Sequence, residues 1–376
     1  MSSPSHNRIV AAIRGAFVAD AASMGTHWIY DPAKMLDAVP SMEEPEFKAP
    51  PNPSYYTASE FPGHYGSGML SPYGEQLLFV TEYSAAELEI DGPKMSDAML
   101  VWAESFGGRP DHAISEFIKN KKEGKGYPDC GADDEQGECL QLAGARLTLL
   151  PLDSAFTLTN IIACCVAHCY MKVVPVTCLY AGKPELAAKV EEAIRVHQNN
   201  DVAVAFGVAA SCMLEAVLLG SSLSEALEIC AASSTKASIV AEALAKSKEA
   251  AGSLSLEELL VKTSNEIMKD NPDSPSYNLA ARSCKLPGSF IVPLHQLFVA
   301  ANASGEEVYT TAIRNNILGA GDTCSRAVII GAILAAATGG PPDSWVAKMD
   351  ADTLAKVDAA AEAIATHAVS TGPASI

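Results

Sequence analysis

The chain is short of positive charge and of aromatic side chains, and it has no uncharged apolar run long enough to make a convincing membrane span. Lysine and arginine number 26 against 45 aspartates and glutamates, a net charge of −19. Such a surface repels phosphate backbones and anionic lipid, so nucleic acid and membrane are not expected partners. The opening MSSPSHNRIVAAIRGAF lacks the apolar core and small-residue cleavage site of a secretory signal. The ten cysteines form no CxxC pair, and Cys164, Cys165, Cys169, Cys178, Cys212 and Cys230 fall in apolar helical sequence, which argues against a zinc site or a disulfide framework. Reduced, buried thiols in a soluble cytoplasmic protein are the expectation. Also missing are strand-like alternation, a short-period repeat and a linker between two cores. With 376 residues, 48% of them hydrophobic, the chain can bury one large core, and we expect a single compact all-α domain over residues 1–376 with a central cleft.

What is present is organised around LGAGDTCSRAVIIGAILAAATGG. A polar cluster of Gly321, Asp322, Thr323, Cys324, Ser325 and Arg326 gives way to an apolar run rich in alanine and glycine, the pattern of a helix buried on nearly all sides with a polar N-terminus. Free amides at a helix start favour anionic groups, and Gly319 and Gly321 would let the backbone approach a ligand. The same residues also suit a plain core helix capped by Asp322 or Thr323.

Other polar helix entrances recur. In the first helix, expected from Arg8 to His27, Asp20 falls on or beside the apolar stripe of Ile9, Ile13, Phe17 and Met24. That helix runs into Gly25-Thr26-His27-Trp28-Ile29-Tyr30-Asp31-Pro32, an aromatic patch that reads equally as a plug under a loop or as a ligand wall. Prolines and glycines then exclude a helix over about 40–70, a long loop of the kind that serves as a lid. At its end Ser71 suits an N-cap, Pro72 the first turn and Glu75 the position after it. Gly131-Ala132-Asp133-Asp134-Glu135-Gln136 and Arg195-Val196-His197-Gln198-Asn199-Asn200-Asp201 are two more polar starts, the acids of the first also reading as a solvated helix end. Further helices are expected over about 94–106, 110–122, 154–171, 184–219 with a break at Asn199-Asn200, 222–232, 235–250, 255–268 and 351–369.

The run Gly321-Asp322-Thr323-Cys324-Ser325-Arg326 before an Ala/Gly-rich helix resembles the GDTDS-type signature of the ADP-ribosylglycohydrolase family. Ala19-Asp20-Ala21 with Met24-Gly25 looks like its N-terminal GDALG helix, and His197 before an alanine-rich helix resembles a third family segment. HWIYDP, SPYGEQ, ADDEQ, CKLPGSF and GDTCSR are together similar to a branch holding the jellyfish J-type crystallins and selenoprotein J. The resemblance implies an all-helical fold and a two-metal, usually magnesium, site that removes ADP-ribose from an acceptor. It implies Asp322 and Ser325 as metal ligands. Cys324, however, replaces the second aspartate, Pro72-Tyr73-Gly74-Glu75 stands where a TDDT run would be, and His27 takes the place of a catalytic glutamate. Magnesium binding should therefore be weak or absent, since a thiol is a poor ligand for a hard cation.

On this reading the acids Asp322, Glu75, Asp133 and Asp134 carry catalysis. His27, Tyr73, Gly74 and His197 line the cleft, and Ser325 and Arg326 lie at the phosphate or ribose end. The expected partner is an ADP-ribose-type small molecule or an ADP-ribosylated protein. Two alternatives are a non-catalytic crystallin-like or ADP-ribose-binding protein, and a thiol redox enzyme using Cys324, whose place at a helix N-terminus beside Arg326 would lower a thiol pKa.

Overall fold

The structure, a computed structural model, describes residues 4–39, 41–51, 64–133, 168–233, 238–267, 269, 281–305 and 307–372. Among them every regular element is helical, and the only β-pairing is two isolated bridges, Ile29 with Gly321 and Ala132 with Gln198. One apolar cluster collects buried side chains from Ile9 to Ala368, so the helices share a core.

The helix Thr323–Thr338 is the axis of that core, with every residue from Thr323 to Ala336 buried. Small side chains let its neighbours come close. A Cβ on Gly331 would lie 2.5 Å from the Gly15 carbonyl oxygen and 2.5 Å from Ala19 Cβ, and one on Gly15 would lie 2.2 Å from Ala335 Cβ. The N-terminal helix His6–Ser23 therefore crosses the axis almost backbone to backbone, which sets Asp20 beside the start of the central helix. Tyr309, on helix Val308–Leu318, ties the crossing by donating its hydroxyl to Gly15 O at 2.7 Å. Helices Asp201–Leu218 and Gly288–Ala301 pack on other sides of the axis. The C-terminal helix Ala351–Thr371 lies further out, burying Val357, Ala361, Ile364, Ala365 and Ala368 against the N-terminal helix and helices Pro72–Glu87 and Val173–Tyr180.

Several expectations change on folding. The first helix ends at Ser23 and continues as a 3-10 turn over Met24–Thr26. The break at Asn199-Asn200 is present, separating Leu186–Arg195 from Asp201–Leu218, with Asn200 capping the latter. Helices Pro32–Ala38 and Val173–Tyr180 were not expected; Pro32 and Pro175 sit in their first turns, where a missing N–H costs little. Two helices reach the length and hydropathy of a membrane span, His6–Thr26 and Asp201–Leu218, although the first carries Arg8, Arg14 and Asp20 and the second Asp201 and Glu215. Their windows are 89% and 61% buried inside the protein, so the apolar residues meet other helices. Of the proline-rich loop, residues 41–51 are irregular, as expected, and cover the end of the first helix: Phe47 N–H donates to Ala22 O at 2.8 Å, and Glu46 takes a two-pronged ion pair from Arg314. Residues 134–167 lie outside the described residues, and with them Asp134 and most of the helix expected over about 154–171.

Candidate functional site

Three chain segments meet at one point: the start of the central helix, the start of helix Pro72–Glu87, and the residues after the first helix. Backbone geometry brings them together. Trp28 N–H donates to Gly321 O at 2.8 Å, and Gly321 N–H returns a bond to Ile29 O at 2.6 Å. Gly321 has φ +77°, and a Cβ there would strike Arg282 O at 2.2 Å, so only glycine fits. Asp322 N–H then donates to Arg282 O at 2.8 Å.

Asp322 holds the N-cap position of the central helix, yet its side chain makes no capping bond. Instead the carboxylate is buried, with Ser325 Oγ donating to Oδ2 and His27 Nε2 lying 3.3 Å from Oδ1. The Cys324 amide donates to His27 Nδ1 at 3.2 Å. A nitrogen that accepts carries no proton, so in the neutral ring Nε2–H faces Asp322. His27 stacks on Trp28 with centroids 4.8 Å apart and meets the Tyr73 ring edge-on at 5.2 Å. The aromatic patch is thus the wall of this polar junction.

Asp20 is the second buried acid. Its Oδ2 accepts the Ser71 amide at 2.8 Å and its Oδ1 the Ser71 hydroxyl at 2.6 Å. Ser71 Oγ in turn accepts from the amides of Tyr73 and Gly74, both at 3.2 Å, the predicted N-cap. Gly74 makes room: a Cβ on it would lie 2.1 Å from Asp20 Oδ2. The Cys324 thiol is buried 3.6 Å from the backbone oxygen of Asp20 and feels the charge of both acids.

Burial dominates the electrostatics. It raises Asp322 to about 6, against the bond from Ser325, the charge of Arg326 and a hydrogen bond from the Trp28 side chain. It raises Asp20 to about 6 against the two bonds from Ser71. Tyr73 is pushed well above its ordinary value by burial and then by the charge of Asp322, so its phenol stays protonated. Cys324 is also raised well above the usual thiol range, first by burial and next by Asp20. This corrects the sequence expectation of a lowered thiol pKa: loss of solvation outweighs the helix terminus and Arg326.

The other sequence candidates divide. Glu75 sits at the rim, with His64 Nε2 2.8 Å from Oε1, and is raised to about 8 by burial and then by Asp20. Asp133 is exposed beside the Ala132–Gln198 bridge and does not join the buried acids. His197 is buried at the same bridge, its carbonyl accepting from Ala132 N–H at 2.9 Å. Arg326 is fully buried, with Nη2 donating to Ala320 O.

Sequence reasoning also passed over Arg282, Asp111 and Lys172, all buried. Arg282 donates to Gly319 O and to Glu257. Asp111 caps helix His112–Lys122 through Ile114 N–H and accepts from Gln76 Nε2. Lys172, whose Nζ has no hydrogen-bond partner, is lowered to about 7 by burial, with Asp111 opposing. A single lysine inside the apolar run Cys169–Tyr180 is the one signal that could have marked it.

The described residues do not fit a pair of magnesium ions. Among them, no three His, Cys, Asp or Glu side chains lie close enough to hold a metal. Each Asp20 carboxylate oxygen already accepts a bond from Ser71, and the neighbour at the Asp20 backbone oxygen is a buried thiol rather than a carboxylate. Magnesium asks for near-octahedral oxygen ligation.

Comparison with known proteins agrees with this architecture. Crystallin J1A of Tripedalia cystophora is 24% identical over 354 residues, spanning 92% of this chain and 93% of its own. Crystallin J1B of the same organism is 26% identical over 203 residues, 53% of this chain and 54% of its own. A solved structure titled ADP-ribosylglycohydrolase-related protein complex shares the fold, with a TM-score of 0.59 at 16% identity over 96% of this chain and 98% of that one. The family model for ADP-ribosylglycohydrolase matches residues 1–373, and the chain belongs to that family.

Proposed function

We propose that the chain hydrolyses an ADP-ribosyl or related N- or O-glycosidic bond, in a small molecule or on a modified protein, where Asp322, His27, Tyr73 and Ser325 meet. The observation that carries this reading is the Asp322 carboxylate. It stands at an N-cap but is withheld from capping and buried against His27, an arrangement that costs stability and that a purely structural helix start does not need.

Glycosidic cleavage develops positive charge at the anomeric carbon and needs a proton for the leaving group. Asp322, ionised above about 6, can oppose that charge and take a proton from the attacking water. His27 Nε2–H faces the carboxylate and orients it. Glu75, raised to about 8, is protonated at neutral pH and can supply the leaving-group proton, while the Tyr73 phenol remains a hydrogen-bond donor. The free thiols among the described cysteines suit a reducing, cytoplasmic setting.

Release of ADP-ribose from an ADP-ribosylated protein tests the reading. Asp322→Asn should lower the rate by about 100-fold or more, and Cys324→Ser should keep most of it. The wild-type rate should rise as pH passes about 6 and fall as it passes about 8, following ionisation of Asp322 and then of Glu75. Equal loss in both variants, or a rate that tracks thiol titration, would defeat it.

A second reading, an ADP-ribose-binding protein without turnover, is favoured by the engagement of both Asp20 carboxylate oxygens with Ser71 and by the buried thiol beside the Asp20 backbone oxygen. It predicts ADP-ribose binding with no release by the wild type.

A further inference from the structure

Among the described residues around Asp322, Arg326 is a buried cation with two nitrogens to spare. Arg326 is 0% exposed; Nη2 donates to Ala320 O, while Nε and Nη1 have no hydrogen-bond partner. Burial lowers its pKa only to about 10, so the guanidinium is charged at neutral pH. Buried N–H donors left without an acceptor cost free energy, and native proteins retain them mainly where something else supplies the oxygen. The nearby acid cannot take up the whole demand: Asp322 already accepts from Ser325 and from the Trp28 side chain and faces His27, which leaves one of its roughly four lone-pair sites for a further donor.

A guanidinium with free N–H groups beside a carboxylate with one lone pair to spare matches a hydroxyl group, which donates and accepts at once. It does not match a bare phosphate, which the carboxylate would repel. Among the described residues, no three His, Cys, Asp or Glu side chains gather there to hold a divalent ion. We infer that Arg326 is the resident cation of this site, and that Arg326 and Asp322 together bind the ribose hydroxyls of the ligand directly, with no divalent metal between them. The inference rests on the ADP-ribosyl reading above and adds to it the group that supplies positive charge.

The test is calorimetric titration of the full chain with ADP-ribose, in magnesium buffer and in EDTA. Wild-type affinity should agree within about twofold between the buffers, and Arg326→Met should bind about 100-fold more weakly in both. Arg326→Lys keeps the charge but not the planar donor set, and should bind about tenfold more weakly while remaining indifferent to EDTA. Circular dichroism and thermal melting establish that the variants fold; if Arg326→Met does not, Arg326→Lys decides. Wild-type affinity that collapses in EDTA, or full affinity in Arg326→Met or Arg326→Lys, overturns the inference. Release of ADP-ribose that requires magnesium would overturn it while leaving the hydrolase reading intact. A wild type that neither binds nor releases ADP-ribose would overturn both.

Discussion

Asp322 and Asp20 are placed where an ionised carboxylate is expensive, and this has a consequence for stability. The folded-state value of Asp322, about 6, lies above its ordinary 3.8, so the native state binds this proton more tightly than the unfolded chain does. Its stabilising contribution is complete below the ordinary value and is lost as pH rises through about 6. At about 1.4 kcal/mol per pKa unit, the loss is roughly 3 kcal/mol. Asp322→Asn has no such proton, so its stability relative to wild type should improve by up to that amount between about pH 4 and pH 7. Urea titrations of both proteins across that range measure it; a constant difference would mean that the carboxylate is not desolvated as described. At this scale residue types were legible in advance: Asp322, Ser325, His27 and Tyr73 were picked out from the chain and do converge. The state of Cys324 was not legible, because its burial and the charge of Asp20, far from it in sequence, act on it only once the chain has folded.

Among the elements, the close crossing of helices His6–Ser23 and Thr323–Thr338 positions the acids. A methyl group on Gly331 would meet Ala19, the residue before Asp20, as well as the Gly15 carbonyl. Gly331→Ala should therefore push the helices apart, costing about 1–3 kcal/mol, and should loosen the Asp20–Ser71 clamp. Gly126→Ala is the comparison, since a Cβ there meets nothing within 4 Å. Differential scanning calorimetry should show a melting temperature several degrees lower for Gly331→Ala and little change for Gly126→Ala. Equal melting temperatures would show that the crossing tolerates a methyl group. Helix starts were readable where a cap announces them, as at Ser71 and Asn200. Helix Val173–Tyr180 escaped because its eight residues are all buried and show no polar face from which to count a period.

For the whole molecule, the balance of charge and ligands bears on metal. The negative surface will gather magnesium weakly, but the described interior offers no acidic trio to hold it. Isothermal titration should give weak, non-stoichiometric heats; tight uptake of two magnesium ions would show that carboxylates outside the described residues complete a centre. The sequence by itself determined the helical class, the acidic surface, the buried axis with its glycines and the polar helix starts, because periodicity, capping and charge are properties of neighbours along the chain. Only the tertiary structure decided that Asp322 does not cap its helix, that His27 lies against it, held by the amide of Cys324 297 residues away, that two span-length apolar helices face the core, and that Arg326 keeps two nitrogens unpaired. Burial and pairing depend on what surrounds a group in three dimensions, and distant segments supply that surrounding only after the chain has folded.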